Sequence, residues 1–218
     1  MDIYFYGQAC FKLKGKTTSV VIDPYDPEFV GLKLPKLEAD IVLTTHTHED
    51  HNNVSAVKTE SGDTPFVIAG PGEYEKSGVA IVGVNSFHDA SNGSERGRNT
   101  MYCVTIDEVK VAHLGDLGQE KLTDEQMEEL GSVDVLLIPV GGTFTIDAKK
   151  AAAIVAQIEP KIIIPMHYLL PGLKFQLDPA DNFLKEMGIE SKEEIAKLSI
   201  SRDKIPEETQ VVMLAKQG

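Results

Sequence analysis

Cysteine is scarce in this sequence: Cys10 and Cys103 are its only two, far apart and each in an apolar segment. That excludes a disulfide framework and makes a reducing cytoplasm the default, with both thiols read as small buried hydrophobes. Long apolar runs are missing as well. No stretch reaches the roughly eighteen residues of a membrane span. The start, Met1-Asp2-Ile3-Tyr4-Phe5-Tyr6, has no basic region leading an apolar one, so it does not read as a signal peptide. Positive charge is in short supply: 21 Lys and Arg face 34 Asp and Glu, a net charge of −13. The acidic residues are spread along the chain, a surface that repels phosphate backbones and anionic membranes at long range. The basic clusters, Lys12, Lys14 and Lys16 and then Arg96 and Arg98, are thin. Nucleic acid and membrane are disfavoured as partners. A small-molecule substrate is expected, and homo-oligomer formation stays open.

What is present fits an ordinary globular chain. Hydrophobic residues make up 42% and charged residues 25% of 218. The length suits one domain over residues 1–218, with a core of real size. Extended segments are predicted at 2–6 and 9–13, with Gly7 turning the chain between them, and at Thr18 to Ile22. Further strands are expected at Ile41 to Thr45, Phe66 to Ala69, Val79 to Phe87, Met101 to Ile106 and Val109 to Leu114. The glycines of Gly70-Pro71-Gly72 and Gly141-Gly142 match no nucleotide-binding fingerprint and read as turns. The second half changes rhythm. Thr123 can cap a helix through Leu130, and Asp147 one through Ile158, whose Ala151, Ile154, Val155 and Ile158 share a face. Strands are expected at Val135 to Ile138, Lys161 to Pro165 and Gln210 to Leu214, and a helix at Asp178 to Met187. Strands first, then alternating helices and strands, argue for sheets flanked by helices.

The chain has six histidines, and three fall in one window: His46-Thr47-His48-Glu49-Asp50-His51. The window follows the apolar run Ile41-Val42-Leu43-Thr44-Thr45, where a sheet can aim loop residues at a ligand. Imidazole nitrogen and carboxylate oxygen suit zinc and neighbouring divalent metals. In an extended segment His46 and His48 would point the same way and grip one ion. Asp50 and His51, after a turn, would face a second. The bland alternative, a polar loop with coincidental histidines, is disfavoured because imidazoles so close repel on protonation. Further ligands are sought at other strand ends: His88-Asp89, His113 with Asp116 in Gly115-Asp116, and His167. His88 and His113 compete for one role. His113 in strand alternation shares a face with Val109 and Val111, whereas His88 opens a loop.

The string His46-x-His48-x-Asp50-His51, with later His88, Asp116 and His167, resembles the metallo-β-lactamase superfamily along nearly the whole chain. Ile22-Asp23-Pro24, Gly72-Glu73-Tyr74, Pro139 to Thr145 and Pro165-Met166-His167-Tyr168 are similar to its branch of small cytosolic hydrolases that includes the ascorbate-6-phosphate lactonase relatives. The resemblance implies an α/β fold, the four-layer αβ/βα sandwich. It implies a first metal on His46, His48 and His88, a second on Asp50, His51 and His167, and Asp116 bridging them, with a bridging hydroxide as nucleophile. The family order favours His88 over His113. Asp23 would orient a ligand from behind it. Gln8-Ala9 departs from the His-Ser frequent in relatives, so that histidine's role is taken as lost.

The expected activity is metal-dependent hydrolysis of a small ester, lactone, amide or phosphoester, with Asp50 and Asp116 handling the proton or holding the hydroxide in line. Phosphodiester hydrolysis and a metal-binding protein without turnover are the rivals. Di-iron oxygen chemistry ranks low because its practitioners usually carry an acidic residue where His48 stands. Ligands without cysteine admit zinc foremost, and also manganese, iron, nickel or cobalt. The segment from Asp89 to Asn99, rich in Gly, Ser, Asn and Arg, reads either as a flexible loop beside the site or as an ordinary solvated one.

Overall fold

Two sheets face one another across a shared core of 49 buried apolar residues. The structure is a computed structural model and describes residues 1–218. The first sheet has the strand order Leu198–Ser199, Asp2–Gly7, Cys10–Lys14, Ser19–Ile22, Ile41–Leu43, Phe66–Ile68. It starts as an antiparallel hairpin, Ile3 opposite Leu13 and Phe5 opposite Phe11. Strict alternation puts Ile3 and Phe5 in the core and leaves Asp2, Tyr4 and Tyr6 partly exposed. Ser19–Ile22, Ile41–Leu43 and Phe66–Ile68 then run parallel.

The second sheet opens as an antiparallel meander, Gly72–Lys76, Val79–Phe87, Arg98–Ile106 and Val109–His113. Val135–Pro139, Ile162–Met166 and Gln210–Val211 continue it in parallel. All five residues of Val135–Pro139 and of Ile162–Met166 are buried. Such unbroken apolar runs suit parallel strands covered on both faces. The helices α2 (Asp124–Leu130), α3 (Ala148–Ile158) and α4 (Ala180–Glu186) lie along this half. Thr123 closes a capping box with Gln126, and the Asp147 carboxylate accepts from the Lys150 amide. The first sheet's outer face has a thinner cover over Cys10, Val21, Val42 and Val57. Its helix is the single turn α1 (Pro27–Val30), capped by Asp26. No helix is long and apolar enough to cross a membrane. Both cysteines are free and buried.

Several sequence expectations shift here. Gly70 and Pro71 bend as expected, but Gly72 already opens an edge strand, Gly72–Lys76, that the sequence pattern does not predict; its mostly exposed Gly-Glu-Tyr-Glu-Lys carries no apolar alternation to reveal it. Gln210 to Leu214 splits in two: Gln210–Val211 stays on the second sheet, while Met213–Leu214 pairs with Glu194–Ile195. The helix expected from Asp178 starts at Ala180, because Pro179 stands at its cap.

The two sheets are tied together beside the histidine window. The Tyr102 hydroxyl, from the second sheet, donates to the Thr44 carbonyl at 3.1 Å and accepts from the Gly70 amide at 2.8 Å. The Thr100 amide reaches the Thr45 carbonyl at 2.8 Å. Parallel strands from both sheets therefore end around one place, and their carboxyl ends supply the loops there.

Candidate metal centre

The strand expected at Ile41 to Thr45 stops at Leu43, so His46 and His48 sit in a bent segment, not an extended one. They still meet. His46 Nε2 lies 3.0 Å from His48 Nδ1, and their rings stand 4.8 Å and 5.1 Å from that of His88. His46, His48 and His88 form one group of potential ligand atoms, and Asp50, His51, Asp116 and His167 a second, each group within 4.8 Å. Asp116 sits between the two. Its Oδ2 is 3.2 Å from Nε2 of both His51 and His88, 3.3 Å from that of His167 and 3.9 Å from that of His46. The second group is wholly buried, whereas His48 of the first is exposed.

The surrounding chain aims these side chains. Asp23, buried at the end of Ser19–Ile22, accepts from the Thr45 amide and hydroxyl and from His51 Nδ1, at 2.8, 2.7 and 2.7 Å. That bond turns His51 Nε2 towards Asp116 and fixes its tautomer, as a carboxylate behind a metal-bound histidine does. Asn99 holds the Asp116 turn: its Oδ1 accepts from the Asp116 amide at 3.0 Å and its Nδ2 donates to the Leu114 carbonyl at 2.9 Å. Gly115, at φ +55, must be glycine, because an added Cβ would run into the Asn99 side chain and Thr45.

His113 lies outside the cluster. Its Nε2 bonds to the Ala9 carbonyl at 2.8 Å, and its Nδ1 accepts from the Gly115 amide at 3.0 Å. Both nitrogens are committed to main chain, so the ring is neutral; burial pushes its pKa down. Phe11 packs edge-on against it. His113 braces the Gly115 turn from beneath.

Gln8 is the residue that sequence reasoning set aside. It is fully buried, and its Nε2 lies 2.9 Å from Asp50 Oδ2 and 2.7 Å from His167 Nε2. It thus spans two members of the buried group. A signal was present: glutamine in place of histidine keeps a donor on a side chain of similar reach. Gln8→Ala is expected to free the Asp50 carboxylate and lower turnover by roughly ten- to a hundredfold, the usual scale for partners behind metal ligands. Kinetics together with elemental analysis checks this, and unchanged values for both would remove Gln8 from the site.

The segment 89–97 is not loose. The Asp89 carboxylate accepts from the amides of Ser91, Gly93, Glu95 and Arg96, at 2.8, 2.8, 3.1 and 2.7 Å. Burial alone would raise this carboxyl; the four amides overturn that and hold it at about 2. Gly and Ser in the sequence suggested freedom, but the acceptor that organises them is one aspartate at the start.

Charge in the cluster favours a cation. Burial opposes charge on His51, but Asp116, Asp50 and Asp23 overturn this and hold its imidazole well above the ordinary value. Burial likewise opposes charge on Asp116, yet His167 and His51 keep it well below the usual carboxylate range. His46 and His48 are pushed down, first by burial and then by neighbouring imidazoles. Gln8 Oε1, His51 Nε2, His88 Nδ1, Asp116 Oδ1 and His167 Nδ1 are buried without a hydrogen-bond partner. Each such atom costs about 1–3 kcal/mol, and all five belong to the cluster or to Gln8 touching it. Imidazole nitrogens around buried carboxylates are the donor chemistry of a divalent ion, which would take the place of the proton that Asp116, Asp50 and Asp23 favour on His51.

The family model described as a beta-lactamase superfamily domain matches residues 2–167. The UPF0173 metal-dependent hydrolase of Thermococcus onnurineus is 32% identical over 192 residues, covering 77% of this chain and 84% of that protein. The chain belongs to the UPF0173 metal-dependent hydrolases of the metallo-β-lactamase superfamily. A solved Thermotoga maritima protein, described as a candidate Zn-dependent hydrolase of that superfamily, is 39% identical. It superposes with a TM-score of 0.79 over 98% of this chain and 97% of that one. A metallo hydrolase of Ignicoccus hospitalis, 21% identical, shares the fold at a TM-score of 0.64, over 92% of this chain and 99% of that one. The two large sheets are those of this fold.

Proposed function

We propose that this chain hydrolyses a small ester, lactone, amide or phosphoester with two divalent ions, zinc foremost. The observation that carries the reading is the convergence of His46, His48, Asp50, His51, His88, Asp116 and His167 into two groups that share Asp116 Oδ2. His46, His48 and His88 would hold the first ion and Asp50, His51 and His167 the second, with Asp116, which lies between the groups, available to both. When bound, such ions supply Lewis acidity, lowering the pKa of a water and offsetting charge on the group under attack.

The chain's own residues do the rest. Asp23 locks His51, Asn99 locks Asp116, and Gln8 steadies Asp50. Asp50 and Asp116 take the proton or hold the hydroxide in line, because both carboxylates line the cleft beside the cluster while Asp23 is fully buried and does not. That cleft, about 550 Å³, is of a size for a small ligand. Among its lining residues are His48 and His88 of the first group and Asp50 and Asp116 of the second, so substrate in the cleft meets both groups.

Gently purified protein is expected to carry close to two ions per chain. Loaded protein should cleave at least one of an ester, lactone, amide and phosphodiester panel, and a chelator should stop it. Folded protein that takes up no divalent metal would overturn the reading. Nucleic acid is not proposed as a substrate, given the net charge of −13. Tight, salt-dependent RNA binding in a titration would reverse that view and favour phosphodiester hydrolysis.

A further inference from the structure

Three of the chain's eight phenylalanines line the cleft beside the cluster. Phe29 comes from α1, Phe144 from the turn before α3 and Phe175 from the loop after His167. Phe175 lies between the others, with ring centroids 5.3 Å from Phe29 and 6.2 Å from Phe144. They form one aromatic wall drawn from three separate segments. The wall is open: Phe29 and Phe144 are 42% and 37% exposed and Phe175 is half-buried, whereas Phe5, Phe11 and Phe183 are in the core.

Charge at the mouth is of the other kind. Arg96 is the one Arg or Lys lining the cleft, and Glu49 and Glu95 line it too. Arg96 is already engaged: its guanidinium lies 5.7 Å over the Phe144 ring and donates to the Thr143 carbonyl at 3.4 Å. Away from the cluster itself, the chain's own side chains offer an anion at the mouth two carboxylates and a single guanidinium, which lies against Phe144.

We infer that the substrate is an apolar ester or lactone, whose alkyl or aryl group lies on Phe29, Phe144 and Phe175 while the scissile group meets the metal cluster. The inference rests on the hydrolase reading above and narrows it: phosphorylated and other polyanionic substrates are disfavoured. The wall and the cluster share one cleft, which is why the wall is assigned to substrate.

The test uses metal-loaded protein and 4-nitrophenyl esters from acetate to octanoate, with 6-phosphogluconolactone as the anionic comparator. If the added chain is buried on the rings, kcat/KM is expected to rise about two- to fourfold per methylene. In the double variant Phe29→Ala, Phe144→Ala that slope should fall to near zero. A preference for the phosphorylated lactone, or a slope unchanged in the double variant, overturns the inference. Alkyl aryl ketones of the same chain lengths, which have no bond to cleave, give a calorimetric readout independent of turnover. Affinity that rises with length and falls in the double variant supports the wall as an apolar substrate surface; if no ester or lactone is cleaved, the ester assignment is overturned, while the hydrolase reading is decided separately by the amides and phosphodiesters of the wider panel. Length-independent ketone binding overturns the wall whatever the kinetics show. Wild-type protein that sediments as a dimer and becomes monomeric in the double variant also overturns it, by making the wall a subunit contact.

Discussion

Asp116→Asn is expected to strip the protein of metal and of turnover together. One oxygen of this side chain stands within 3.9 Å of four imidazole nitrogens, those of His46, His51, His88 and His167. No other carboxylate in the cluster approaches so many; Asp50 reaches His51 at 3.3 Å and His167 at 4.0 Å. An amide keeps the shape but removes the negative charge that would bridge two cations. Losing several kcal/mol of Lewis-acid stabilisation corresponds to a fall in kcat of roughly a thousandfold or more. The fold should survive, because the Asp116 amide still bonds to Asn99 and Gly115 still makes the turn. Elemental analysis, kcat and circular dichroism on one preparation are the measurements. A folded variant with both ions and turnover within tenfold of wild type would show that Asp116 bridges nothing.

The second large effect separates His88 from His113. His88→Ala should lose the first ion and nearly all turnover, since His88 Nε2 faces Asp116 Oδ2 at 3.2 Å beside His46 and His48. Its melting temperature should fall less than that of His113→Ala, because the His88 ring lines an open cleft and its removal strands no main-chain partner. His113→Ala should do the reverse. It leaves a cavity in a fully buried place and strands the Ala9 carbonyl and the Gly115 amide. Truncating a buried ring costs about 3–5 kcal/mol, which at this chain length lowers Tm by roughly 10 °C. Metal affinity in the surviving folded protein should fall by tenfold to a hundredfold at most. Thermal melts and metal titrations of both variants decide the matter. Loss of the first ion in His113→Ala but not in His88→Ala would exchange their roles.

The sequence carried much of this because local chemistry speaks locally. Val79–Phe87 has the bounds its apolar pattern predicts, and Thr123 and Asp147 cap the helices their side chains suggest. The histidine window stood out because so many ligand-type residues share six positions. His46 and His48 nevertheless do not pair by strand alternation. They meet across bends, not along an extended strand, because the strand ends at Leu43 where Tyr102 and Thr100 hold the next residues from the opposite sheet.

By itself, then, the sequence determined the elements, the ligand chemistry and the acidic surface, since each follows from residue type and spacing over a few positions. Only the tertiary structure decided which distant groups face one another. His88 and His113 each stand at a strand end, and nothing nearby in sequence shows that the second has both nitrogens bound to Ala9 and Gly115. Gln8 lies 42 residues from Asp50 and 159 from His167, so its bond to the first exists only once the first sheet has assembled, and its close approach to the second only once both sheets have closed. The aromatic wall depends on three segments brought together by that same closure. Contacts across such separations depend on how two sheets stack, and no local preference of the chain encodes that.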